Sequence, residues 1–213
     1  MRRLRSFVRD RDGTTGAEFA MVLPVALLFL LGIIDVGYYA WTLNKYEKAT
    51  QMGARFAVVT DVVASGLVDE DETYVGSTAC NGGVALVASQ TICKEALDPL
   101  ICTSAAAECD CTGNCPADLT RDINAFTAIA DRMRNFAPDI ENGDISVEYR
   151  GSGIGFAGDP NKPEIAPIVT VRLNDMTYTP IALSPFGVSV PLPDFRYSLT
   201  IEDAEGGEGP HTT

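Results

Sequence analysis

Histidine is nearly absent from this chain: His211 is the only one in 213 residues, and it stands three residues from the end. A lone imidazole there removes His-dependent catalysis and His-based metal sites from consideration. No C-x-x-C occurs, so thioredoxin-type redox chemistry and the common zinc ribbons are not indicated. Positive charge is scarce too, with 16 Lys and Arg against 29 Asp and Glu. Of the net −13, residues 1–12 contribute +3 through Arg2, Arg3, Arg5, Arg9 and Arg11 against Asp10 and Asp12, which leaves −16 for the remainder. So acidic a remainder argues against nucleic acid or anionic lipid as its partner and reads as solubility. The acidic run Asp69-Glu70-Asp71-Glu72 lacks the spaced oxygens and turn glycine of a calcium loop, so it reads as a solvated loop. G-S-G-I-G-F-A-G-D-P (151–160) contains no G-x-G-x-x-G and no helix pattern follows, so a phosphate cradle is not supported. With no histidine base and no motif, nothing activates a nucleophile. No catalytic residue, metal or cofactor is indicated.

What the chain does have is one long apolar run. Phe19 to Ile34 contains no charge, and Asp35 is the only charge between Phe19 and Leu43. As a helix, 19–43 is about 37 Å long at ~1.5 Å per residue. That suffices for a bilayer core of about 30 Å. A soluble core helix would show a polar face, and 19–34 has none. The arginines precede the run, while Lys45 and Lys48 follow it. Positive charge stays on the cytoplasmic side, so the bulk of the chain is placed outside. Tyr38, Tyr39 and Trp41 fall where an aromatic belt marks the far interface. Asp35, close to that interface, reads as a carboxylate reaching water. A cleaved secretory signal fits less well. The run is longer than such an apolar region, and Gly37-Tyr38-Tyr39-Ala40 puts a tyrosine where a small residue is needed.

A second feature sits at the front of the run. G-T-T-G-A-E-F (13–19) places Glu18 five residues after Gly13, and the apolar stretch starts at once. This resembles the processing site of prepilins. With R-D-R-D-G, A-E-F-A-M-V-L-P, G-I-I-D-V-G, Asn44 and G-A-R-F-A-V-V in order, residues 9–57 resemble the TadE-like family of pseudopilins from Flp/Tad pilus systems. The resemblance implies cleavage between Gly13 and Thr14 by a prepilin peptidase, with Glu18 and Phe19 as the motif residues beyond the cut. It also implies that Glu18 pairs with the new terminal amine of a neighbouring subunit. Such a pair relieves two charges that are each costly alone at a lipid edge. Pro24 falls inside the helix, where it removes one backbone hydrogen bond and favours a kink, which membrane helices tolerate. Glu18 and Pro24 are the expected determinants of subunit packing in the membrane.

Beyond the anchor, Leu43, Tyr46, Thr50, Gly53, Ala57, Thr60 and Ala64 recur at threes and fours. One helix over 14–64 is therefore expected, with Gly66 as its stop. Ala49, Gly53 and Ala57 would permit close packing, against this chain's own domain or another helix. Cys80, Cys93, Cys102, Cys109, Cys111 and Cys115 lie in small, polar sequence with little to bury. Three disulfides are the favoured reading, their fifteen possible pairings left open. A zinc site on C-x-C-x-x-x-C is the weaker alternative. Asp118 to Phe136 reads as an amphipathic helix with Leu119, Ile123, Phe126, Ile129, Ala130 and Met133 on its buried face. Period-two alternation around 145–150, 169–174 and 195–202 predicts strands with one buried face. V-T-V-R-L and F-R-Y-S-L-T-I also resemble, more loosely, the tail of TadE-like domains.

The expected fold is α+β. A long pilin-like N-terminal transmembrane helix carries an external head with a small antiparallel sheet and a disulfide-rich loop region. The expected segments are a cytoplasmic leader 1–13, transmembrane helix 14–43, helix extension 44–66, Cys-rich loops 67–117, α/β head 118–205 and a disordered tail 206–213. The resemblance implies a minor pilin or pseudopilin, not an enzyme, in the inner membrane. Its partners would be the lipid bilayer, other pilin-like subunits, the pilus assembly machinery and the prepilin peptidase, with no nucleic acid. The alternative is an unprocessed, membrane-anchored extracytoplasmic binding domain with no assembly role. Terminal mass spectrometry of the mature protein from its own cell separates the two. Processing predicts a chain starting at Thr14, whereas a start at Met1 counts against it.

Overall fold

The computed structural model describes residues 12–69, 73–160 and 163–201. Most of the expected leader, all of the expected tail, His211 and three of the four acids in 69–72 lie outside these residues. The chain divides into two compact units. One comprises Met1–Leu43 and Thr177–Pro191, the other Asn44–Met176 and Leu192–Thr213. The fold is α+β: a long apolar N-terminal helix followed by an antiparallel sheet domain with three disulfides.

Helix α1 spans Asp12–Ala57 and runs through Pro24. It stops short of the expected residue 64. Val58, Val59, Thr60, Val62 and Val63 are β-branched and lose side-chain freedom in a helix. The chain there also has other partners. The Val63 amide donates to the Tyr149 hydroxyl at 2.9 Å, the Asp122 amide donates to the Val63 carbonyl at 2.7 Å, and Ala64 forms a bridge with Arg121. Gly66 then lies in a short 3-10 turn, not at a helix end.

In the second unit, Tyr46, Ala49, Thr50, Gly53, Ala54 and Ala57 form the buried stripe of α1. The small residues serve this chain's own core. A Cβ on Gly53 would stand 2.7 Å from Met133 Cγ and 2.8 Å from its Sδ, so the glycine is what admits helix α2 this close. Helix α2 spans Ile123–Arg134 and buries Ala125, Phe126, Ile129, Ala130 and Met133. Its N-cap is Asp122, whose carboxylate accepts the Asn124 and Ala125 amides at 2.7 and 3.0 Å. The helix begins later than expected because the chain before it makes strand-like bridges, Glu108 with Thr120 and Ala64 with Arg121. Ile123, expected on the buried face, is 60% exposed. It follows the cap directly and turns outward.

The sheet is built from β1 (Leu100–Thr103), β2 (Asp110–Cys111), β3 (Ile145–Arg150), β4 (Ile168–Leu173) and β7 (Phe195–Thr200). Their order is β2-β1-β3-β4-β7, and every pairing is antiparallel. Ile145, Val147, Tyr149, Val169, Val171 and Leu173 fill one buried face. The opposite face corrects the expectation of one-sided burial, since Ser146, Glu148 and Thr170 are buried as well. They cover one another across the strands: Arg172 pairs with Glu148, Thr170 bonds Ser198 at 2.8 Å, and Asn174 donates to Ser146 at 3.3 Å. Burial of these polar groups is tolerable because each has a partner.

Strands β1 and β2 lie inside the stretch expected to be loops only. Leu100 and Cys102 alternate inward there, and the cysteine acts as a core residue as well as a cross-link. All six cysteines are paired, as Cys80–Cys93, Cys102–Cys109 and Cys111–Cys115. The loops they close are short, 13, 7 and 4 residues in separation. Chain-entropy arguments then give each below about 3 kcal/mol.

Two polar contacts fasten α1 to this unit. Asp139 meets both Lys45, at 2.7 Å, and the Tyr46 hydroxyl. Burial disfavours the charged form, but the ammonium and the hydroxyl outweigh it and hold the Asp139 carboxyl below the usual carboxylate range. At Tyr149, burial pushes the phenol well up, so it stays neutral and accepts the Val63 amide.

Tyr149→Phe leaves that buried amide without an acceptor. It should cost about 1–3 kcal/mol, read as a lowered unfolding midpoint of the detergent-solubilised chain. The depressed Asp139 pKa makes its contribution full above the ordinary carboxylate value and lost as pH falls through the lowered one. Asp139→Asn should therefore destabilise by up to about 1 kcal/mol near neutral pH, the difference fading below about pH 4. An unchanged difference across an acid titration of thermal stability would remove this role.

Candidate functional site: an exposed apolar helix bound at Asp35

From Gly16 to Trp41, α1 is apolar around most of its circumference and exposed along nearly all of it. Met21, Leu28, Phe29, Ile33 and Val36 all stand in the open, Phe29 at 72%. The helix is long and apolar enough to cross a membrane, and none of its most apolar 18-residue window is buried. In water such a surface would be costly at about 25 cal/mol per Å². The apolar helix and the disulfide-bonded domain together suggest a membrane-anchored chain with an extracytoplasmic domain.

The expected site residues fall as follows. Gly13 and Thr14 lie in the first turn of α1. Glu18 and Phe19 are exposed one turn further on, and Pro24 lies within the apolar stretch. The six cysteines are far along the chain, in the other unit. No group of three or more His, Cys, Asp or Glu able to hold a metal occurs among the described residues. The buried carboxylates Glu148 and Glu164 have structural partners. Arg172 holds the first; Thr73 at 2.7 Å and the Tyr74 amide at 2.9 Å hold the second.

Asp35 is where the structure departs from the sequence reading. It does not simply reach water. One carboxylate oxygen accepts the Ile181 amide at 2.7 Å and the other the Ala182 amide at 3.0 Å. The Tyr178 hydroxyl donates to the Asp35 carbonyl at 3.2 Å. Tyr178 is 5% exposed, its ring 5.4 Å from Tyr39, edge-on, and 5.9 Å from Tyr38. Tyr38 in turn stacks on Trp41 at 5.3 Å. The segment bound here is a hairpin-like loop. Its strands β5 (Thr177–Tyr178) and β6 (Val190–Pro191) pair antiparallel, and a 3-10 turn, Ser184–Phe186, lies between them. Gly187 closes that turn with φ 67°, a left-handed conformation that suits glycine. Bonds from a carboxylate to two amides are charge-assisted and stronger than neutral ones. Nothing local in the sequence announces them, because the partners are 146 and 147 residues away.

These features define an α+β protein with a long exposed apolar N-terminal helix and a disulfide-bonded domain. The family model described as TadE-like protein matches residues 13–55, so this stretch is a TadE-like family domain. No curated protein and no solved structure matches the chain.

Asp35→Ala should release the loop. Amide exchange at Ile181 and Ala182 is expected to rise about tenfold or more, with a smaller rise for Asp35→Asn, which keeps one acceptor. Unchanged exchange in both variants would mean that other contacts hold the segment.

Proposed function

We propose that this chain is a membrane-anchored, pilin-like subunit that takes part in assembling a Flp/Tad-type pilus or secretion apparatus. The observation that carries the reading is the placement of the family match on this helix. The TadE-like match at 13–55 falls on the exposed apolar helix, and Glu18 stands exposed at the start of that helix. In this reading α1 crosses the inner membrane once, with its N-terminus cytoplasmic and the disulfide-bonded domain on the far side. Prepilin peptidase cuts between Gly13 and Thr14. Glu18 then pairs with the terminal amine of a neighbouring pilin-like subunit, and the lipid-exposed faces around Pro24 pack against other helices. The role is structural, made of helix packing and one ion pair, and it calls for no bound cofactor.

Glu18→Ala and Glu18→Gln should insert into the membrane as the wild type does, yet fail to support pilus assembly or copurify with partner subunits. Normal assembly in both variants would remove Glu18 from the mechanism. Full membrane retention together with normal assembly and an uncut N-terminus would favour an anchored binding domain instead.

A further inference from the structure

The loop held by Asp35 has a composition unlike the rest of an acidic protein. Between Asp175 and Asp194 no residue is charged. Ile181, Leu183, Phe186 and Val188 point their apolar side chains into the open, Phe186 at 77%. An exposed apolar cluster of this kind needs an occupant. Part of its backbone is prepared for a dry one, while the Ser184, Val188 and Ser189 amides show no such bond and are left for the polar side of a boundary. The Ile181 and Ala182 amides go to Asp35. Those of Leu183, Phe186 and Gly187 go to the carbonyls of Pro180, Leu183 and Ser184, at 3.2, 2.9 and 3.1 Å. Positions 180 and 185 are prolines and have no amide to satisfy. Turn bonds like those of Leu183, Phe186 and Gly187 occur in aqueous loops too, whereas the two that reach a carboxylate on the apolar helix do not arise from the turn itself. At membrane depth each unmet amide would cost several kcal/mol.

The position of the loop along the helix agrees. Asp35 is about 25 Å above Glu18 along α1, within a hydrocarbon core of about 30 Å and near its outer edge. Tyr38, Trp41 and Tyr178 cluster at that level, as amphipathic rings do at a headgroup boundary. We infer that residues 177–191 form a second membrane-docking element, a loop that Asp35 holds against α1 so that Phe186, Ile181 and Leu183 enter the acyl–headgroup boundary of the outer leaflet. Asp35 thereby has a purpose inside an apolar helix. Its carboxylate is met by two loop amides, and the loop in turn covers a group that would otherwise face lipid.

This inference rests on the membrane-spanning reading of α1, and the test separates the two. In a Trp41→Phe background, single reporters Phe186→Trp and Leu28→Trp are placed in the full chain. Each protein is reconstituted in phosphatidylcholine vesicles with lipids brominated high on the acyl chain, at high lipid dilution. The expected result is Trp emission at 186 that is blue-shifted and about threefold better quenched by bromolipid than by aqueous acrylamide. Adding Asp35→Ala should reverse that preference. Quenching of the Leu28→Trp reporter by lipid with the Phe186→Trp reporter open to acrylamide would overturn the loop proposal and leave the anchor standing. Absence of lipid quenching at both positions would overturn both. A Phe186→Trp signal shielded from both quenchers, and released by further lipid dilution, would overturn it in favour of contact with a second copy.

Discussion

A helix that is apolar on every side cannot be at rest in water, and most of what is distinctive here follows from that. Sixteen uncharged residues, 19–34, leave no polar face to turn outward. A domain core could absorb such a helix only by surrounding it, and this one leaves it exposed. Lipid or other apolar helices are the remaining solvents. The polar residues that interrupt the run are therefore informative, because each needs a local answer. Glu18 stands at the very start, where a water-filled boundary or a partner's charge can meet it. Asp35 closes the run at its far end and is met by protein amides.

Where the long helix leaves its apolar stretch, it changes solvent and changes grammar. From Tyr46 on, small residues face inward at helical spacing and charged ones fall off the stripe. Gly53 makes room for Met133. The same element is thus an exposed apolar helix along one stretch and a core helix along the other. The pair Lys45 and Tyr46, both reaching Asp139, stands at the start of that second role.

The sequence showed the parts of the fold that have a period. Strands β3, β4 and β7 were legible from alternation, the second helix from its apolar stripe, and the apolar helix from its length and lack of charge. Residues whose partners are distant were not. Ser146, Glu148 and Thr170 looked like a wet face, but cross-strand partners bury them. Cys102 looked like a cross-link only, yet it also fills the core. The end of α1 was misplaced by about two turns because small residues continued the stripe while valines and strand-like bridges ended the helix. At the site, the likeness of the N-terminal stretch to a TadE-like domain was readable, being local. The fate of Asp35 was not, because it depends on a loop nearly 150 residues later whose uncharged composition says nothing about where it docks.

The pairing of the cysteines has a consequence for how the domain matures. Each disulfide joins one cysteine to the next one along the chain, and no bridge encloses another. A chain threaded across a membrane from residue 44 onward would present these thiols in the order of their native pairs. Each would meet its proper partner before a competitor had emerged. Oxidation on first encounter and oxidation to the native state would then coincide, and shuffling by an isomerase would have little to correct.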